Sequence, residues 1–291
     1  AAYYVNDVVA PLKTMLETDL AWSSTDFGFF TGGYSFLNVF FLMLIWGGLI
    51  LDRFGIRFTG KLATILMVGG TALEYYAMTG LAGADATLFG INEIFGYKTG
   101  VFVAFAGYSI FGVGAEVAGI TVSKIIAKWF KGKELATAMG VQVALARIGS
   151  QAGYAVAIPL ARAFGISTPV LLGLVLLLGG MIAFFIFAVM DKKLDKQMEA
   201  AAIAAGTEDE EEKFSFKDVK NILVNPGFWL IALLCVLFYS CVFPFQKFAS
   251  ELMIIKYGIN ENVAGTFAGL PALGALILTP IFGGFIDKRG K

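Results

Sequence analysis

Two ionisable side chains stand well inside apolar runs of this sequence, Glu116 and Arg147. A charge at the middle of a bilayer costs ~2.5–3.5 kcal/mol on insertion scales, so neither side chain faces lipid cheaply. Counted at about 1.5 Å per residue from the basic end of each run, Glu116 lies roughly 12 to 18 Å deep and Arg147 roughly 20 Å deep. Two arrangements satisfy both. In one, a buried ion pair fixes neighbouring helices and is structural. In the other, the charges address a bound solute: the carboxylate receives an ammonium and the guanidinium clamps a carboxylate through two parallel hydrogen bonds. Polar and aromatic side chains at helical spacing complete a candidate substrate site. Tyr34 and Asn38 are four residues apart and share a face, and so do Tyr239 and Phe243. Gln142, five residues before Arg147, sits about 140° round the same helix. Each of these serves equally well as an interhelical contact. Asn6 and Asp7 are candidates for an external gate, and Glu74 and Glu93 read as interfacial.

Enzymatic chemistry finds little support beside this. The 291 residues contain no histidine, and Cys235 and Cys241 are six apart in one apolar run, pointing roughly 240° apart on a helix. Zinc sites of the His/Cys type, a histidine base and an internal disulfide are thereby excluded. No catalytic residue, metal or cofactor is expected.

The elements that must hold these side chains are membrane spans. Apolar residues make up 58% of the chain and charged residues only 15%, far from the balance of a water-soluble domain. Seven stretches reach the ~20 apolar residues that a spanning helix needs: 28–51, 59–80, 100–123, 135–160, 167–190, 227–246 and 262–286. Residues 1–9 read as the outer end of a further span whose beginning is missing, so the chain reads as a fragment cut at both ends. No secretory signal pattern opens it.

Lys and Arg placement orients the spans. Counting the partial span as the first, 16 of the 22 basic residues lie in the connections after even-numbered spans, which therefore end in the cytoplasm. The one long polar connection, 191–225, carries the acidic run Glu208 to Glu212 and reads as a solvated linker, with a short surface helix near Phe214 to Val219. It divides the chain into an N-terminal bundle over 1–190 and the start of a second bundle over 226–291.

A repeat relates the two parts. The second span ends Gly48, Asp52, Arg53, Gly55, Arg57, and the eighth ends Gly283, Asp287, Lys288, Arg289. Each aspartate follows a glycine at the cytoplasmic end of a helix and precedes basic residues. Two copies with the same sidedness imply two parallel six-helix repeats.

This pattern, G-x-x-x-D-[RK]-x-G-x-[RK], resembles the signature loop of the major facilitator superfamily. The resemblance implies an all-α integral membrane fold of two parallel six-helix repeats, of which the first is nearly complete here, most of helix 1 and helices 9–12 being absent. It also implies that the loop acts as a cytoplasmic gating motif. WFKGKELATAMGVQVALARIGSQ (129–151), GYSFLNV (33–39) and FYSCVFPF (238–245) are similar to the branch that includes the lysosomal dipeptide transporters. There, a glutamate and an arginine 31 residues apart, in G-x-G-x-E and A-R-I-G, are the positions assigned to a peptide's amino and carboxyl ends; they match Glu116 and Arg147. The sequence departs from wider superfamily patterns at Tyr108, where an arginine is common, and in lacking a glycine-proline signature on the fifth span. Coupling through that arginine and obligatory exchange are thus disfavoured.

The expectation is a secondary transporter of a small zwitterionic or anionic solute, dipeptide or amino-acid-like, working by alternating access. The alternative is an organic-anion carrier in which Glu116 and Arg147 form a structural pair. Expected partners are a small-molecule substrate and the lipid bilayer, with no nucleic acid; an accessory membrane protein is left open. The expected location is a multi-pass position in a bacterial inner membrane.

Overall fold

A computed structural model describes residues 1–83, 86–130, 135–205 and 223–278. Its elements are α1 (Ala2–Val8), a 3-10 turn (Ala10–Leu12), α2 (Lys13–Asp19), α3 (Ser24–Phe40), α4 (Met43–Thr79), the hairpin strands β1 (Glu93–Ile94) and β2 (Tyr97–Lys98), α5 (Thr99–Trp129), α6 (Leu135–Phe164), α7 (Thr168–Ala205), α8 (Pro226–Tyr257) and α9 (Glu261–Ala268). The helical path of α9 resumes after Gly269 and reaches 278.

Local chemistry sets several boundaries. Ser23 and Asp26 form a reciprocal capping box that starts α3: Ser23 Oγ accepts from the Asp26 N–H at 3.0 Å, and Asp26 Oδ2 accepts from the Ser23 N–H at 2.8 Å. Asn225 caps α8 with Pro226 in its first turn, and Gly258, at φ 64°, ends it. Pro11 lies in the 3-10 turn that joins α1 to α2. The first span thus runs on through this turn to Asp19. Asn6 and Asp7, expected near its outer end, lie about 20 Å inside it.

α4 doubles back at Gly55, whose φ of 76° and ψ of 172° leave the helical region. Before the turn, Gly47 meets Val117 of α5 in the direction in which Gly33 meets Phe105. After it, Gly114 meets Ala63 and Met67, and Gly70 meets Gly107 and Phe111, in the opposite order. The expected second and third spans are therefore the two arms around this turn. The second span is also broken: Leu42 takes a left-handed conformation, φ 52°, and α3 and α4 are bent by 58°.

Four described helices are long and apolar enough to cross a membrane, α5, α7, α8 and 261–278, and the bent pair α3 and α4 makes a fifth if taken as one span. The sequence expectation of seven counted α6 as well, and took the arm of α4 after Gly55 as a span of its own. α6 has 30 residues, but Gln142, Arg147, Gln151 and Arg162 lower its apolar character. α7 continues to Ala205, so the first fifteen residues of the expected linker extend a helix. The surface helix near Phe214 to Val219 and the second motif, Gly283, Asp287, Lys288 and Arg289, lie outside the described residues.

Small residues let the bundle close, because apolar attraction between helices is weak in lipid and close backbone packing replaces it. A Cβ at Gly70 would come within 2.4 Å of the Phe111 backbone nitrogen, and one at Gly112 within 2.3 Å of the Tyr34 carbonyl oxygen. Around these crossings a core of buried residues forms from Val5, Val8, Leu12, Phe27, Phe30, Tyr108 and Phe111.

Candidate functional site

Glu116 on α5 and Arg147 on α6 are both half-buried, and each lies about 26 Å along its helix from the outer end. No ion pair within 4.0 Å joins them among the described residues. Glu116 accepts a 2.7 Å hydrogen bond from the Tyr34 hydroxyl across the α3–α5 crossing. That crossing exists because Gly112 lets the Tyr34 backbone approach. Asn38 turns its amide nitrogen to the Tyr34 carbonyl oxygen on its own helix at 3.0 Å, while its Oδ1 is buried without a partner among the described residues.

Gln142 is half-buried on α6. Tyr239 and Phe243 share a face of α8 as their spacing predicts and stack at 5.1 Å, yet both stand half exposed and no hydrogen bond or ring contact ties them to α5 or α6. The structure thus unites Tyr34, Asn38 and Glu116, and among the described residues no hydrogen bond or ion pair joins Arg147 or the α8 pair to them.

A second polar cluster went unrecognised in the sequence. The Tyr108 hydroxyl, on a fully buried ring, donates to the Asn6 carbonyl oxygen at 2.7 Å. Lys247 of α8 donates to that same carbonyl at 2.6 Å and to the Tyr108 oxygen at 3.1 Å. Its ammonium also lies 5.6 Å from the Tyr108 ring centroid. Lys247, one residue beyond the apolar run 227–246, belongs inside the bundle contact. The Tyr34 and Tyr108 rings are 5.7 Å apart, which links this cluster to Glu116. Glu74, expected at the interface, is fully buried. Glu93 is exposed.

The described contacts between the two sides of the linker lie at the end away from it. Lys13 donates to Glu251 at 2.5 Å and to Glu17 at 2.7 Å. Arg162 pairs with Glu261 and Asn262, Tyr154 donates to the Gln246 carbonyl oxygen, and the Phe27 and Phe248 rings meet at 5.7 Å. The half of α8 nearest the linker, including Trp229, Leu230 and Ile231, is exposed.

At the linker end, Asp52 of the G-x-x-x-D-R motif pairs with Lys124 of α5 at 2.9 Å. Gly55 supplies the turn, and Gly48 has nothing within 4 Å of a would-be Cβ. Arg57 reaches Asp195 at 3.0 Å, and Lys128 reaches Asp191 at 2.8 Å and Asp195 at 2.5 Å. Arg53 lies against the Phe54 ring.

A chain of long apolar helices, with an acid and a base buried part-way along two of them and a D-R-x-G turn at the basic end, is built as a multi-pass membrane protein. The sequence model of the Major Facilitator Superfamily matches residues 1–291, and the chain belongs to that family. It is 27% identical over its whole length to proteins named lysosomal dipeptide transporter MFSD1 from Pongo abelii and from Homo sapiens, covering 59% of each. A Gallus gallus protein of the same name is 32% identical over 64% of the chain and 42% of its own length. The chain therefore spans about three-fifths of the longer relatives it matches.

Proposed function

We propose that this chain is part of a secondary transporter that moves a dipeptide or similar small zwitterion by alternating access. The observation that carries the reading is a half-buried Glu116 and a half-buried Arg147, each about 26 Å along its helix from the outer end, with no ion pair within 4.0 Å between them among the described residues. A solute with two charged ends satisfies both groups at once. The name of the relatives, lysosomal dipeptide transporter, supports the same solute class. Asp52, Arg53, Gly55 and Arg57 act in the reading as the moving cytoplasmic latch. Tyr239 and Phe243 approach the solute only when the linker halves of the bundles close.

The described contacts between the two parts run from the outer end inward to Lys247 on the Asn6 carbonyl, and in this reading they belong to a carrier closed on its outer side. The relatives' lysosomal name lends no support to a bacterial inner membrane, so the proposal is a multi-pass membrane carrier with its linker side cytoplasmic.

Thermal unfolding of the full-length protein with panels of dipeptides, amino acids, organic anions and sugars tests the solute class. A bound ligand stabilises by about 2.7 kcal/mol at a hundred times its Kd. Stabilisation by dipeptides above the other classes is the expected result. Equal stabilisation by sugars overturns it, and stabilisation by organic anions alone favours the carrier with a structural Glu116 and Arg147 pair.

A further inference from the structure

A groove of about 550 Å³ opens between the arm of α4 after Gly55 and α7. Lys61 lines one side, and Met181, Ile182, Phe185, Ile186 and Val189 line the other. The α7 residues recur at helical spacing and form one stripe, in which Ile182, Ile186 and Val189 are each 59–60% exposed. The two helices meet beside the groove because Gly60 leaves room for the Phe184 ring.

Lys61 stands about 9 Å along the helix from the Gly55 turn, inside the apolar run 59–80. Its ammonium lies 5.3 Å from the Phe185 ring centroid, and no carboxylate pairs with it within 4.0 Å among the described residues. The acids that follow on α7, Asp191 and Asp195, are engaged by Lys128 and Arg57. Lys193, exposed, continues the stripe one turn past Val189 toward the linker. The groove therefore has an apolar wall within the span and, at its linker end, two lysines whose charge these acids do not meet.

We propose that the groove is a binding site for one glycerophospholipid of the linker-side leaflet with an anionic headgroup. An acyl chain lies along 181–189, and the phosphate meets Lys61 inside the groove and Lys193 at its mouth. A lysine this far into an apolar run extends its stem along the wall and holds its ammonium toward the polar boundary, where lipid phosphates lie. A zwitterionic headgroup brings an ammonium of its own, which finds no free carboxylate here, so the site favours a headgroup of net negative charge. The bound lipid touches α4 and α7 together and holds them beside the Arg57–Asp195 pair. The site is independent of which solute the protein carries.

Photocrosslinking of the full-length protein in phosphatidylcholine nanodiscs tests this. The discs are doped with equal small amounts of phosphatidylglycerol or phosphatidylcholine carrying a photoactivatable acyl chain, and the label on residues 181–189 is quantified by peptide mass spectrometry. At about fivefold per lysine contact, phosphatidylglycerol should label this stretch at least fivefold more than phosphatidylcholine. The ratio should fall toward one in Lys61→Met, which keeps the length of the side chain in an apolar setting, and persist in Lys61→Arg and in Lys256→Gln, a lysine at the outer end of α8. Equal labelling by the two lipids in the unmodified protein, labelling by neither, or a preference that survives Lys61→Met overturns the proposal.

Discussion

Tyr34 holds Glu116 through one short hydrogen bond, and what that bond does for a ligand is measurable. If Glu116 receives an ammonium, Tyr34 sets the position of the receiving carboxylate. Tyr34→Phe should weaken ligands with a free amino end about tenfold, near 1.4 kcal/mol, and leave amino-blocked ligands unchanged. Titration calorimetry separates the two; equal loss for both would make Tyr34 a general packing residue. Glu116 and Tyr34 were legible in the sequence because a charge in an apolar run has few places to go, and because Tyr34 and Asn38 share a helix face. Glu74 and Lys247 were not. Each lies near the end of an apolar run, 59–80 or 227–246, and was read as interfacial or extramembrane. The helices outlast those runs: α8 continues to Tyr257, which carries Lys247 into the bundle contact. Hydropathy marks the stretch that tolerates lipid, and a polar residue beyond it is equally compatible with water or with a buried partner.

Helix–helix crossings make the element scale sensitive to single methyl groups. Gly112→Ala puts a Cβ against the Tyr34 carbonyl, and overpacking of this kind costs on the order of 1–3 kcal/mol. Gly119 has open space around it. Gly112→Ala should therefore lower the thermal midpoint clearly and Gly119→Ala should leave it nearly unchanged, as followed by unfolding in detergent. Similar midpoints for the two variants would remove Gly112 from the crossing. Apolar run length found most of the helices, but two features escaped it. No glycine or proline stands between Phe36 and Trp46, so nothing announced the break at Leu42. The charged residues after 190 were read as a linker because charge usually marks solvent. Here Asp191 is fully buried and accepts from Lys128 and from the Trp129 indole at 3.1 Å, which keeps α7 helical past the run. Asp191→Asn should lower the midpoint by loosening α7 from α5, whereas Lys192→Gln, on an exposed side chain, should not.

At the scale of the molecule, Lys13 with Glu251 and Arg162 with Glu261 join the two parts at the end away from the linker, and on the proposed alternating-access reading these pairs part as that side opens. Glu251→Gln combined with Glu261→Gln should shift the population toward the outward-open form. In a Cys235→Ser, Cys241→Ser background, a cysteine introduced at Asn6 should then be labelled faster by a membrane-impermeant maleimide added outside; an unchanged rate would mean these pairs do not hold the gate. At the inner side, Asp52→Asn removes the partner of Lys124 and should slow transport far more than it weakens binding, as read by flux and by equilibrium binding together.

The central claim is that Glu116 and Arg147 address the two ends of one solute, and equilibrium binding of blocked ligands to the full-length protein tests it most directly. A dipeptide, its amino-blocked form and its carboxyl-blocked form are titrated into the unmodified protein, Glu116→Gln, Arg147→Gln and the double variant. The account predicts that Glu116→Gln weakens only ligands with a free amino end, that Arg147→Gln weakens only those with a free carboxyl end, and that the double change rescues neither. Removing one member of a closed buried pair would instead cost on the order of 3–5 kcal/mol and be largely restored by neutralising the other. Such rescue, or full affinity of the unmodified protein for both blocked ligands, would contradict the account.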